Sequence, residues 1–257
     1  MSTPAVPKAS GGVQSVERTF DLLEKIADAG GEMTLSELAS QCDLPLPTIH
    51  RLLKTLIGIG YVRQLPNRRY GLGPRLIRLG EIANRQLGAV ATPFLRELVQ
   101  TLGETSNMAV LDSEMVVYLS QVPSPHSMRM FIEVGRRVRS HDTGVGKAIL
   151  AQLGDAEVKS IVERAGMDTP TPTSHATLDS LLIDLAEIRA RGYALDEQEQ
   201  ELGVRCVAMS VPGAPVPMAI SVSGPISRVT DDFIARAVPE LTAAAARISS
   251  ALDNAVG

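Results

Sequence analysis

The stretch from Thr34 to Leu72 constrains the fold more than any other part of the chain. Thr34 is placed to cap a helix, and Glu37, three residues on, completes a capping box, so a short helix runs from Leu35 to about Gln41. Cys42-Asp43-Leu44-Pro45 reads as a tight turn, and Pro47 suits the first turn of the next helix, which Gly58 and Gly60 end. On a helical wheel Ile49, Leu52, Leu53 and Leu56 fall on one side and need a core. Pro47, Arg51 and Lys54 point away, with Thr48, His50 and Thr55 on the flanks. Tyr61 to Leu65 alternates as a strand, Pro66 to Arg69 turns, and Tyr70-Gly71-Leu72 returns, giving a hairpin with Arg68 and Arg69 at its tip. An amphipathic helix from Val13 to Ala29 precedes all this, carrying Val13, Val16, Phe20, Leu23 and Ile26, and Gly30-Gly31 stops it. The order is that of a winged helix-turn-helix.

Charge says what such a unit would meet. The chain carries a net charge of −4, yet no acid lies between Asp43 and Glu81, where Arg51, Lys54, Arg63, Arg68, Arg69, Arg75 and Arg78 all fall. Residues 1–80 hold ten Lys and Arg against seven Asp and Glu, and residues 81–257 hold fifteen against twenty-two. A basic segment on an acidic protein favours a polyanion, because each phosphate contact releases a condensed counterion. Charge alone fits a solvated basic face equally well; the helix pattern decides for double-stranded DNA. The third helix would enter the major groove, and the wing would reach the backbone or minor groove. The candidate DNA-binding residues are therefore Pro47, Thr48, His50, Arg51, Lys54, Thr55, Arg68 and Arg69. The plainer readings are a solvated or phosphate-contacting His50, Cys42 as a small apolar packing residue, and Tyr61 and Tyr70 as packing at the base of the wing. A rival to DNA binding is an adaptor that keeps the fold without the activity.

Composition bounds the rest. With 44% apolar residues the chain can build a real core, and with 3% aromatics and no tryptophan that core is aliphatic. No apolar run approaches the roughly 18–20 residues of a membrane span. Residues 1–12 lack a basic start and an apolar stretch, so they are expected to be a flexible tail rather than a signal peptide. Cys42 and Cys206 lie far apart, which excludes a disulfide framework and a thiolate zinc site. The expectation is a soluble cytoplasmic protein with no membrane segment, metal or cofactor.

The domain boundaries are expected at 13–73 for the winged unit, 74–89 for a linker helix and 90–257 for a second domain. The linker bears Leu76, Ile77, Leu79 and Ile82, a stripe that a partner subunit could cover. In the second domain, helices are expected over Val90–Leu102, Thr143–Leu153, Asp155–Arg164, Thr177–Arg191 and Thr230–Leu252. Strands are expected over Thr105–Leu111, Met115–Val122, Met128–Val134, Tyr193–Asp196, Arg205–Val211 and Val216–Val222. This is an α+β chain whose second domain is a mixed sheet flanked by helices. Gly144-Val145-Gly146-Lys147 looks like the end of a phosphate loop, but His141 stands where its first glycine belongs and Ala148 where it needs Ser or Thr. Ser221 and Ser223 alternate, so both hydroxyls share one face of a strand.

These residues carry a family likeness over essentially the whole chain after Gly12. It rests on Ser15-Val16-Glu17-Arg18, Leu35-Ser36-Glu37-Leu38-Ala39, Leu44 to Leu53, Gly60-Tyr61-Val62-Arg63 and Gly71-Leu72-Gly73. It continues in Gly146-Lys147-Ala148, Arg191-Gly192-Tyr193-Ala194, Gly203 to Ala208 and Ser221 to Pro225. The chain resembles the IclR-type bacterial transcriptional regulators. The resemblance implies a C-terminal, GAF-like effector-binding domain, dimers through the DNA-binding half and tetramers through the sensor half. It implies repression or activation of an operon for catabolism of small organic or aromatic acids, with repression expected here, and an effector of that class that alters DNA affinity. Carried over position by position, the effector would meet Gly144, Val145, Asp196, Cys206, Ser221 and Ser223, walled by Met130, Val138 and Val204. Asp142 departs from the family, which more often has a small residue there; it either caps the helix or faces the ligand, and in the latter case a neutral amide, hydrazide or hydroxylated ligand is favoured over an ionised carboxylate. The rival of another class is a hydrolase using the same residues.

Overall fold

The computed structural model describes residues 12–256, apart from the side chains of 84–87 and 254–256. The expected tail, residues 1–12, thus lies outside the described residues except for Gly12. The chain divides into two compact units between Ala83 and Asn84.

The first unit begins with α1 (Gln14–Asp28), which ends where Gly30 and Gly31 take positive φ. A two-residue strand, β1 (Glu32–Met33), follows, too short to carry a period. The capping box forms at the start of α2 (Leu35–Gln41): the Glu37 amide donates to Thr34 Oγ1 at 3.2 Å, and the Thr34 amide donates to Glu37 Oε2 at 2.6 Å. The turn leads into α3 (Leu46–Gly58), with Pro47 in its first turn, then β2 (Val62–Gln64) and β3 (Tyr70–Leu72). The strands form an antiparallel sheet in the order β1-β3-β2. Leu22, Ile26, Leu38, Ile49, Leu53 and Leu56 make a dry core that locks α1, α2 and α3 together. Gly73 is required where it stands, because a Cβ would lie 2.3 Å from the Gly60 carbonyl oxygen. From there α4 (Arg75–Leu87) leaves the wing, with Leu76 packed on this core and Ile77 and Leu79 exposed.

The second unit is a six-stranded sheet between two helical layers. It comprises α5 (Thr92–Leu102), β4 (Thr105–Asp112), β5 (Met115–Val122), β6 (Arg137–Val138), α6 (Gly144–Leu150), α7 (Asp155–Ala165), α8 (Leu178–Arg191), β7 (Ala194–Glu197), β8 (Val204–Ser210), β9 (Met218–Pro225) and α9 (Asp231–Val256). The strand order is β6-β5-β4-β9-β8-β7. Period-two alternation splits the strands cleanly. Met108, Val110, Val207, Ile220 and Val222 face α5 and α9, while Ala109, Val116, Tyr118, Cys206, Ala208 and Ala219 face α6, α7 and α8.

Three expectations need correction. The sheet is antiparallel at every pairing rather than mixed. Met128–Val134 is not a strand: Met128 and Phe131 are 72% and 71% exposed, and the edge strand is Arg137–Val138, paired with Val117 and Val116. Two of the segment's carbonyls go to side chains instead of a ladder, with Arg228 Nη2 donating to Met128 O at 2.8 Å and Thr105 Oγ1 to Met130 O at 3.0 Å. Finally, Thr143 rather than Asp142 caps α6, its hydroxyl accepting the Gly146 amide at 3.1 Å. Among the described residues no helix is long and apolar enough to cross a membrane.

Candidate functional site

The outward face of α3 is built as the wheel requires. Its core side is fixed by Ile49, Leu53 and Leu56, which leaves Pro47, His50, Arg51, Lys54 and Thr55 exposed and Thr48 half-buried. Thr55 Oγ1 donates to the Arg51 carbonyl at 3.0 Å. Among the described residues neither Arg51 nor Lys54 forms an ion pair, so both charges are free to meet a polyanion.

The two wing arginines part company. Arg68 sits exposed at the turn with φ 63°. Arg69 is half-buried and committed to the fold: its Nη2 donates to the Glu32 carbonyl at 2.9 Å and lies 3.1 Å from Glu37 Oε2. The bonds from Thr34, aided by the Arg69 charge, hold the Glu37 carboxyl below its usual range. Arg75 likewise stacks over Tyr61 and donates to the Ile59 carbonyl at 2.8 Å. Of the basic residues in the acid-free stretch, Arg69 and Arg75 are therefore struts, while Arg51, Lys54, Arg63, Arg68 and Arg78 present their charge to solvent.

In the second unit, residues far apart in sequence converge on the α6 side of the sheet. Register sets Asp196 beside Cys206, Cys206 beside Ser223, and Asn107 beside Ser221. The Asn107 amide donates to Ser221 Oγ at 3.3 Å and to Ser223 Oγ at 3.2 Å, and its Oδ1 accepts from Gln121 Nε2 at 3.0 Å. Gly144 brings the start of α6 onto this face: a Cβ there would lie 2.9 Å from Cys206 Sγ. Gly144, Val145, Asp196, Cys206, Ser221 and Ser223 are all buried, and Val138 joins the same apolar cluster. Val204, half-buried, sits at the end of β8 opposite Pro225, and Met130 is half-buried in the segment before β6. Burial, reinforced by the Asp196 charge, pushes the Cys206 thiol up, so it is a neutral thiol at physiological pH. A groove of about 400 Å³ lined by Phe94, Ala246, Arg247, Ser250 and Ala251 belongs to the opposite, α5–α9 side and takes no part in this constellation.

Beside these residues lies an ionic knot that sequence reading missed. Lys147, 1% exposed, donates from Nζ to Asp184 Oδ2 and Glu199 Oε1, each at 2.6 Å. His175 Nε2 stands 3.3 Å from Asp184 Oδ2 and 3.8 Å from Glu199 Oε2. The three could together ligate a cation, but the Lys147 ammonium already serves both carboxylates. Burial alone would raise the Asp184 carboxyl; the bond to His175 and the charge and bond of Lys147 outweigh it and hold it at about 2. The clue in the sequence was a single lysine in the otherwise apolar α6, which had to find anionic partners. Asn107 carried no such signal, since a polar residue at strand spacing reads as an outward one. Burial also raises Asp196, together with the Glu199 charge, to about 7. Asp142 is raised to about 7 too, mainly by burial, against the pull of its own backbone amide and of Arg139.

Both halves have counterparts among known proteins. The family model described as the IclR helix-turn-helix domain matches residues 15–66, and the one for the bacterial transcriptional regulator IclR C-terminal domain matches residues 80–250. The transcriptional repressor IclR of Escherichia coli is 42% identical over 244 residues, covering 90% of this chain and 86% of that protein. Among solved structures, an IclR transcriptional regulator from Alicyclobacillus acidocaldarius aligns with a TM-score of 0.82 at 26% identity, over 93% of this chain and 99% of that one. An IclR homologue from Microbacterium hydrocarbonoxydans, solved with 4-hydroxybenzoate, shares the fold with a TM-score of 0.80 at 21% identity, over 93% and 99% of the two chains. An aliphatic winged head with a free basic helix, a sheet face that gathers buried polar groups, and family matches along both leave one assignment: the chain belongs to the IclR family of bacterial transcriptional regulators.

Proposed function

We propose that the chain is a cytoplasmic repressor of a catabolic operon that binds duplex DNA through α3 and Arg68 and loosens or tightens its hold when a small organic ligand enters the second unit. The observation that carries the DNA half is the exposed, ion-pair-free Arg51 and Lys54 on a helix whose opposite side is anchored in the core by Ile49, Leu53 and Leu56. Pro47, Thr48, His50 and Thr55 complete the reading surface, and Arg68 the wing contact. The structural duties of Arg69 make it a support for the wing. The kinship with a curated repressor favours repression.

The ligand half rests on the convergence of Asp196, Cys206, Ser221 and Ser223 beneath the Gly144–Val145 start of α6. Serine hydroxyls can donate or accept, Asp196 accepts, and Val138 and Val145 exclude water, which strengthens each polar contact. The homologue solved with 4-hydroxybenzoate supports a small, polar, partly aromatic occupant. Val204 and Met130 would then wall its edge. The neutral Cys206 thiol and the pairing of both serines with Asn107 favour a binding face over a nucleophilic one.

The assembly is read as a dimer through the winged unit and a tetramer through the sensor. Val13, Val16 and Phe20 on the first helix side, with Ile77 and Leu79 on α4, leave apolar surface that a second copy would cover. The test of the whole reading is selection of a duplex from a random pool by the full chain, followed by titration of that duplex with and without candidate ligands. Saturable binding that responds to a ligand, and loses that response in Ser221→Ala/Ser223→Ala, supports it. Failure to enrich any sequence contradicts it.

A further inference from the structure

We propose that Asp142 selects the ligand: the effector presents an N–H or O–H donor to Asp142 Oδ1, and a ligand offering only a carboxylate at that point is rejected. The proposal rests on the reading of the Asp196–Cys206–Ser221–Ser223 face as the effector site. It adds a residue, and a chemical selection rule, that this reading does not contain.

Asp142 is 7% exposed, and among the described residues its Oδ1 has no hydrogen-bond partner. A buried acceptor left unmatched is costly, and native proteins rarely tolerate one without a reason in function. Three donors on the neighbouring segments are committed elsewhere, and the buried Tyr118 hydroxyl does not reach Oδ1. Arg139 binds Asp168 and donates to the Ala165 carbonyl at 3.0 Å. Lys147 is held by Asp184 and Glu199. Thr143 Oγ1 donates to the Arg139 carbonyl and accepts the Gly146 amide.

Asp142 interacts with the Arg139 charge, with the carboxyls of Glu199, Asp168 and Asp196, and with the buried Tyr118 phenol, so carboxyls outnumber cations around it. Glu199 Oε2 is a second buried oxygen without a hydrogen bond. Two residues beyond Asp142, Gly144 touches Cys206, which places the orphan oxygen at the border of the effector face. A ligand carboxylate here would add a negative charge to a cluster of buried carboxyls. A neutral amide, or a ligand hydroxyl, instead supplies the missing donor, while Ser221 and Ser223 remain able to donate to its acyl oxygen. Burial raises the proton affinity of both Asp142 and Asp196, and the neighbouring Glu199 charge adds to it.

The test uses the full chain and matched probes: benzoate with benzamide, 4-hydroxybenzoate with 4-hydroxybenzamide, and lactate with lactamide, each titrated by calorimetry and thermal shift at pH 7.5. In the wild type the amide of the preferred pair should bind at least about tenfold tighter than its acid, equivalent to about 1.4 kcal/mol. Asp142→Ala should erase that preference, and Asp142→Asn, which keeps the size and adds a donor, should shift it toward the acid. Ser221→Ala/Ser223→Ala should weaken both members of the pair. A wild type that prefers the acid, or a preference unchanged in both Asp142 variants, overturns the assignment of Asp142 alone. Binding that ignores the serine change, or no binding by any probe, overturns the underlying reading of the face.

Discussion

Lys147 shows how one buried side chain can tie several elements together. Its ammonium ties α6 to α8 through the half-buried Asp184 and to the segment after β7 through the buried Glu199. Removing it strands two carboxylates, so Lys147→Met should cost about 3–5 kcal/mol in chemical denaturation, the usual penalty for breaking a buried pair from one side. A loss under 1 kcal/mol would mean that His175 and Arg191 neutralise the carboxylates unaided. Acid should act through the same knot. Asp184 is held at about 2, below its ordinary 3.8, so its contribution is present above pH 3.8 and is lost as pH falls toward 2. Asp142 and Asp196 carry the opposite sign. Each is raised from 3.8 to about 7, so the stability contributed by their protonated forms fades as pH rises through that interval. Asp142→Asn should therefore flatten the fall in unfolding free energy between pH 5 and pH 8. An unchanged slope in urea titrations at the two pH values would contradict this.

At the level of elements, local chemistry decided what could be read in advance. The capping box, the Gly30-Gly31 stop and the α3 wheel are contacts within a turn or two, and each is where the sequence puts it. β1 was illegible because two residues carry no period, and Met128–Val134 misled because alternating apolar residues need a partner strand as well as a pattern. The proposed effector face was only partly legible. Ser221 and Ser223 share a side by strand periodicity, but Asn107, which joins them from β4, depends on a register more than a hundred residues away. The wing arginines carry the sharpest element-scale prediction. Arg69→Ala removes the brace to Glu32 and Glu37 and should lower the melting temperature of the protein, whereas Arg68→Ala should leave it unchanged and weaken binding to every duplex alike. Equal thermal losses in the two variants would show that Arg69 is no brace.

For the whole molecule, the central matter is whether the basic helix on an acidic chain reads DNA. Exposed Phe20 and Ile77, at 57% and 63%, mark the surface expected to pair two copies. Phe20→Glu with Ile77→Glu should reduce the mass seen by light scattering, and a wild type that is monomeric at micromolar concentration would contradict pairing. A paired reader meets two half-sites, so losses on one helix are felt twice. The most direct measurement is fluorescence anisotropy on a duplex selected by the full chain, with affinity followed across a salt series for the wild type and for Arg51→Ala and Lys54→Ala. The account predicts a steep, linear fall of log affinity with log salt in the wild type. It also predicts a loss of about 1–3 kcal/mol for Arg51→Ala where that residue reads a base, and a shallower salt slope for Lys54→Ala. Binding that is insensitive to salt, or unmoved by both substitutions, would contradict it.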